Sequence, residues 1–157
     1  MVCTDIRFLA DSMLGKLAKW LRVMGFDTHY QAYYTPGEIE TLIHHGYLLL
    51  TRHTRKKSRF PDSFFIQSDK VKGQLQELKN RGLIPSPISK WFTRCLACNI
   101  PICEVPVEDA RDNIPEYVFY QNITGIRFCP SCMRYYWPGS HRTRMIRQLQ
   151  EWGIEGI

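Results

Sequence analysis

Two cysteine pairs constrain this chain more than any other feature. Cys95-Leu96-Ala97-Cys98 and Cys129-Pro130-Ser131-Cys132 are both C-x-x-C knuckles, with 30 residues between them. One tight turn presents two thiolates to a single ion, so two such turns supply the four sulfurs of a tetrahedral zinc site. Binding the ion then becomes folding energy, tying together segments that are distant in sequence. The motif predicts a closed structural Zn²⁺ site held by Cys95, Cys98, Cys129 and Cys132, with no open position for catalysis. Disulfides or a redox dithiol are the alternatives. Cys103 and Cys3 lie off the motif spacing and are read as buried free thiols.

The rest of the chain has enough apolar material to fold around such a staple. Of its 157 residues 44% are hydrophobic and 13% aromatic, so the chain can bury a real core and need not be disordered. No apolar run approaches the roughly 18–20 residues of a membrane span. Residues 1–13 lack the basic start and long apolar stretch of a signal peptide. A cytoplasmic setting is therefore expected, where paired cysteines bind metal rather than each other.

Charge is distributed unevenly. Residues 1–90 hold 14 Lys and Arg against 8 Asp and Glu, which is the whole of the net +6. Residues 91–157 hold 7 of each. The excess concentrates in Arg52-His53-Thr54-Arg55-Lys56-Lys57-Ser58-Arg59. Farther on, Arg127, Arg134, Arg142, Arg144 and Arg147 follow one another with no acid among them. Such patches favour a polyanion, most simply nucleic acid. A merely solvated surface is the bland alternative.

Apolar periodicity gives the organisation. Residues 6–10 read as a buried strand ending at Asp11. Met13, Leu14, Leu17, Ala18, Leu21 and Met24 then recur at helical spacing, with Gly25 as the stop. Residues 27–30 suggest a second strand and residues 36–45 a second helix. The unbroken run Tyr47-Leu48-Leu49-Leu50-Thr51 suits a central strand covered on both faces. A strand at 63–67 and a third helix opened by Ser68-Asp69 and stopped by Gly82 complete the series. The order β-α-β-α-β-β-α predicts an α/β layer with a mainly parallel sheet. Residues 83–89, with Pro85 and Pro87, read as a linker. The long gap between knuckles is expected to hold a hairpin, suited by the alternating Glu116-Tyr117-Val118-Phe119-Tyr120 and Ile126-Arg127-Phe128. The run from Arg134 to His141 mixes arginine with Tyr135, Tyr136 and Trp137, a composition that stacks bases and holds phosphates. The alternative is that these aromatics fill the ribbon core and Ser140 caps the last helix.

Ligands of parallel sheets collect outside the carboxyl ends of the strands. Asp11 sits there, and Glu38 and Asp69 are expected in the first turns of the second and third helices. Three converging carboxylates would hold Mg²⁺ or Mn²⁺ and suit phosphodiester hydrolysis. Each acid taken alone reads more readily as an ordinary helix cap or first-turn residue than as a ligand.

Longer motifs carry a resemblance. They begin with Phe8-Leu9-Ala10-Asp11-Ser12-Met13-Leu14-Gly15-Lys16-Leu17-Ala18-Lys19-Trp20-Leu21-Arg22 and Gly25-Phe26-Asp27. They continue with Leu48-Leu49-Leu50-Thr51-Arg52, Gln74-Leu75, Arg94-Cys95, Cys98-Asn99, Phe128-Cys129, Tyr136-Trp137 and Gly139-Ser140-His141. Together they resemble the mutator-seven C-terminal RNase domain family over nearly the whole chain. The resemblance implies a PIN-like three-layer α/β domain over residues 1–88, joined to a small zinc ribbon with a C-terminal helix over residues 89–157. It implies a metal-dependent ribonuclease, with Asp11 at the first acidic position and Glu38 and Asp69 at later ones. Asp11 and Asp69 would hold Mg²⁺ or Mn²⁺. Arg52, Arg55, Lys56 and Lys57 would clamp RNA, with Arg142 and Arg144 adding affinity. The family pattern continues its Thr-Arg with Asp, and this chain has His53 there, a poor ligand for a hard cation. A catalytically inactive RNA-binding module is therefore the alternative. A protein adaptor using the acidic stretch 104–116 is a third reading.

Overall fold

The computed structural model describes residues 5–156. In chain order its elements are β1 Arg7–Ala10, α1 Gly15–Val23, β2 Thr28–Tyr30, α2 Pro36–His44, β3 Tyr47–Thr51, α3 Thr54–Arg59 and β4 Phe64–Phe65. There follow α4 Val71–Asn80, β5 Cys103–Glu104, α5 Val107–Asn113, α6 Glu116–Gln121, β6 Arg127–Phe128, β7 Tyr135–Tyr136 and α7 Ser140–Glu151. No described helix is long and apolar enough to cross a membrane.

The two most apolar strands pair at the centre of a parallel sheet ordered β2-β1-β3-β4. Leu9 lies opposite Leu49, and Ala10 opposite Leu50. Alternation along each strand divides their side chains between two faces. Phe8, Ala10 and Leu50 join Leu17 and Leu21 of α1 and Leu75 and Leu78 of α4 in one core. Leu9 and Leu49 pack on the opposite side with Ile39 of α2. This is the expected three-layer α/β arrangement. Helix α1 ends where Met24 caps it and Gly25 turns at φ 91°. A Cβ on Gly25 would lie 2.4 Å from the Lys90 carbonyl, so only glycine fits this turn.

The second half is an antiparallel ribbon ordered β5-β6-β7. A separate small core of Ala110, Ile114, Val118, Phe119 and Ile126 fills the excursion between the knuckles. The large core nevertheless runs on past the linker. Trp91, Met145, Leu149 and Ile154 belong to the same cluster as Phe8 and Leu17. Trp20 of α1 and Trp152 meet edge to face at 5.0 Å.

A polar seam accompanies this apolar one. Arg22, only 8% exposed, donates from Nε to the Thr28 carbonyl at 3.0 Å and from an Nη to the Leu96 carbonyl of the first knuckle at 2.8 Å. Asn99 accepts from the Thr28 amide at 2.8 Å and donates to Asp27 at 2.6 Å. Arg94 donates to the Gly25 carbonyl at 3.1 Å. The seam satisfies a charge that burial would otherwise penalise.

Several expectations are corrected. The excursion does close on an antiparallel pair, β5 with β6, and Arg127–Phe128 is strand as expected, but Glu116–Gln121 is the helix α6, preceded by α5. Neighbouring Val118 and Phe119 are both buried while Tyr117 and Tyr120 are exposed, a pattern a strand cannot satisfy. Pro106 and Pro115 start the two helices, with acids in each first turn. The basic run forms α3, which buries no residue and so left no apolar periodicity to read. Asp69 is not in a first turn: it is exposed ahead of the N-cap Lys70. Glu77 takes the local role instead, accepting from the Gln67 and Ser68 amides at 3.0 and 2.8 Å. Ser140 does not cap α7, whose N-cap is Gly139. Cys103 is exposed, at the start of a ribbon strand too short to cover it. Cys3 lies outside the described residues.

Replacing Arg22 by alanine leaves the Thr28 and Leu96 carbonyls without their donor. Urea unfolding of Arg22→Ala should show a loss of about 3 kcal/mol, against well under about 1 kcal/mol for an exposed control such as Lys72→Ala.

Candidate functional site

Asp11 is fully buried at the carboxyl end of β1, beside the end of β3. Its backbone amide donates to the Leu50 carbonyl at 3.0 Å, which holds it at the sheet edge. Its carboxylate receives four donors. The Ser12 amide reaches Oδ1 at 2.8 Å and the Ser12 hydroxyl at 3.3 Å. The Thr51 hydroxyl reaches Oδ2 at 2.8 Å. The Lys56 ammonium closes on Oδ1 at 2.5 Å. Tyr30 fixes the same turn by donating to the Ser12 carbonyl at 3.0 Å. The turn needs Gly15, because a Cβ there would stand 2.9 Å from the Tyr30 hydroxyl oxygen.

Lys56 reaches Asp11 because α3 starts immediately after β3. The His53 amide donates to the Thr51 hydroxyl at 3.0 Å, turning the chain at the strand end. Helix α3 then returns its first-turn side chains to the sheet edge. Burial raises the pKa of Asp11, but the hydrogen bonds from Lys56, Thr51 and Ser12 and the Lys56 charge together outweigh it. The carboxyl is held below its ordinary 3.8. It is ionised at neutral pH.

The expected site residues do not all meet here. Glu38 closes a capping box: Thr35 accepts from its amide at 3.2 Å, and its carboxylate accepts from the Thr35 amide at 2.7 Å. Asp69 is exposed in the bend after β4. Among the described residues the four cysteines are the one group of three or more His, Cys, Asp or Glu placed to share an ion. Mg²⁺ needs oxygen donors free to coordinate it. At Asp11 one oxygen is engaged by an ammonium and the other by a hydroxyl, so this donor set does not fit a hard divalent ion as it stands.

The cations are placed variously. His53 and Arg55 are exposed. Arg52 donates to the Gln67 carbonyl at 3.3 Å, and its Nε is shielded from solvent with no acceptor among the described residues. An unpaired buried donor is costly. Lys57 is used internally, donating to the Pro61 carbonyl at 2.6 Å and the Ser63 carbonyl at 2.5 Å. Arg142 stacks on Phe92 at 4.8 Å, and Arg144 is exposed on α7. The sequence marked Lys56 only as one cation of a basic run, and its bond to Asp11 was not legible there. The only sequence signal for it was the nearness of the basic run to the end of a central strand.

The knuckles meet as expected. All four sulfurs lie within 4.8 Å of one another, with Cys95 and Cys132 3.7 Å apart. Zn–S bonds of about 2.3 Å set a tetrahedral edge of about 3.8 Å, so the set fits zinc. Burial opposes ionisation of Cys95, but the Tyr136 hydroxyl at 3.1 Å and the Cys98 and Ala97 amides bring its thiol down to about 6. Burial pushes the Cys129 thiol the other way, up, so Cys95 is the ligand already disposed toward thiolate.

Elemental analysis should find one zinc per chain, and Cys129→Ser or a strong chelator should abolish the ribbon's ordered amide signals by NMR. For Asp11 the native pKa is lowered. Its contribution to stability is whole above the ordinary value and is lost as pH falls through the lower native one. Wild type should lose more unfolding free energy than Asp11→Asn between about pH 5 and about pH 3 by chemical denaturation.

No curated protein and no solved structure matches this chain. The model of one family, described as the Mut7-C RNAse domain, matches residues 6–149. The three-layer sheet, the buried acid at its carboxyl edge and the four-cysteine ribbon agree with that match, and the chain belongs to the Mut7-C RNAse domain family.

Proposed function

We propose that this protein is a ribonuclease that takes RNA at the carboxyl edge of its parallel sheet, with Asp11 as the essential acid. The observation that carries the reading is the seat of Asp11. A fully buried carboxylate, ionised and held by four donors, stands at the end of a central strand in a chain of a ribonuclease family. Such a group is expensive to bury and is kept where it has work to do.

Around it the charge is positive. An RNA phosphate at this edge would meet the Lys56 ammonium, the unpartnered Nε of Arg52 and the exposed Arg55. Phosphodiester chemistry is mainly positioning and stabilisation of charge on the phosphoryl oxygens, and preorganised cations supply both. Asp11 orients Lys56 through their ion pair. Members of a nuclease fold of this kind would employ Mg²⁺ or Mn²⁺ as Lewis acid. The carboxylates expected to hold such an ion here stand apart.

That separation supports a second reading, in which the same edge grips RNA without cutting it. The Lys56–Asp11 pair and the exposed His53 at the usual Asp position favour it. Cleavage of labelled RNA and DNA with Mn²⁺, Mg²⁺ or chelator decides between the two. Asp11→Asn should lower RNA cleavage by about a hundredfold or more while leaving binding intact. His53→Asp should leave cleavage unchanged while the acids stand apart, and a rise in metal-dependent cleavage would show that bound RNA draws them together. Salt-sensitive RNA binding with no cutting by any variant would establish the second reading. Undiminished cleavage by Asp11→Asn would remove the first.

A further inference from the structure

The site at the sheet edge leaves the aromatic and arginine-rich stretch of the ribbon without a role. A cavity of about 1160 Å³ opens between α1, the ribbon and the start of α7. Ordinary small-molecule sites occupy about 300–1,000 Å³, so this one has room for more than a single nucleotide. Phe92, Tyr117, Tyr135 and Trp137 supply aromatic surface to it. Tyr117 is 68% exposed, so its ring is open to stack on an incoming base.

The charge of the lining is one-sided. None of the protein's 15 acidic residues contributes to it. Five cations do, and they divide by what they already hold. Arg94 is engaged by the Gly25 and Asn99 carbonyls, and Arg127 pairs with Glu104 at 3.7 Å. Lys19 and Arg134 are exposed and enter no ion pair among the described residues. Arg142 sits over Phe92, its guanidinium carbon 4.8 Å from the ring centre. Planar faces interleaved with uncommitted cations, and no carboxylate, are what unstacked bases and their phosphates require. A duplex hides its base faces and cannot use them.

We infer that this cavity is a subsite for single-stranded RNA, in which Tyr117, Tyr135 and Trp137 stack bases while Lys19, Arg134 and Arg142 hold phosphates. The inference rests on the reading of RNA as substrate. It separates the protein's grip into two places: phosphate contacts at the sheet edge and base stacking at the ribbon. Helix α1 connects them, since it starts beside Asp11 and carries Lys19 about 6 Å farther along its axis than Gly15. The ribbon thereby selects unpaired strands for the edge where the phosphodiester is gripped.

The test uses the full zinc-loaded chain and a short fluorescent phosphorothioate RNA, followed by anisotropy at several salt concentrations. Tyr117→Ala should weaken single-strand binding about tenfold and leave binding of the matching duplex unchanged. Lys19→Ala and Arg134→Ala should each flatten the slope of log affinity against log salt by about 0.7. All three residues are exposed, and zinc content and melting temperature confirm that their variants remain folded. Photo-crosslinking with 4-thiouridine should label peptides within 133–142. Single-strand affinity unchanged in all three variants, with crosslinks confined to 52–59 and weakening only in Arg55→Ala, would overturn the subsite while keeping RNA as the ligand. Absence of any RNA binding by wild type at low salt would overturn both the subsite and the reading on which it rests.

Discussion

The buried guanidinium of Arg22 ties the two halves of this protein together. It reaches one way to the Thr28 carbonyl of the parallel sheet and the other way to the Leu96 carbonyl of the first knuckle. A charge at that depth is tolerated only when its donors are satisfied, so the knuckle must sit where its carbonyls can accept. Asn99 completes the seam from a left-handed conformation, φ 64°, that turns its amide toward Thr28 and Asp27. The apolar contacts of Met145, Leu149 and Ile154 with the sheet core lie alongside. The ribbon is thus one wall of a shared core rather than an appendage. The family motif residues Arg22, Gly25, Asp27, Arg94 and Asn99 act mechanically here, and the cavity between α1 and the ribbon depends on the seam they form.

The same economy of position governs the sheet edge. Each crossover of a parallel sheet returns the chain at the carboxyl ends of the strands, so polar groups collect there. What collects is one deeply buried carboxylate and a returning basic helix. Lys56 meets Asp11, Thr51 locks the second carboxylate oxygen, and Arg52 keeps an unused donor. The resulting edge is cationic toward solvent although its innermost group is an acid. That combination suits a phosphate backbone better than a cluster of carboxylates would without an ion to neutralise it.

Much of this was legible from residue patterns, for reasons that are local. Leu48-Leu49-Leu50 could only be a strand covered twice, and Phe8, Leu9 and Ala10 beside it likewise. The four cysteines announced their site because ligand spacing is a property of a tight turn. Other elements resisted. The basic run of α3 has no apolar face, so its helix is specified by where β3 ends and by Asp11, a residue 45 positions upstream of Lys56. Glu116 to Tyr120 alternates like a strand, yet Ala110, Ile114 and Ile126 gather Val118 and Phe119 into a helical core. Glu38 and Asp69 had the right type and approximate place for a shared ion. The capping box of α2 and the reach of Glu77 to the Gln67 and Ser68 amides decide otherwise.

Sequence by itself determined the α/β class, the parallel order of its central strands, the closed cysteine site, the basic character of the sheet edge and the family. Each follows from periodicity, from ligand spacing or from motifs read along the chain. Tertiary structure alone decided that Asp11 is paired with Lys56, that the expected acids stand apart and that an acid-free aromatic cavity opens at the ribbon. Those outcomes rest on distances between residues remote in sequence. Such distances are set by how layers pack and by which buried polar groups must find partners, and no local pattern encodes them.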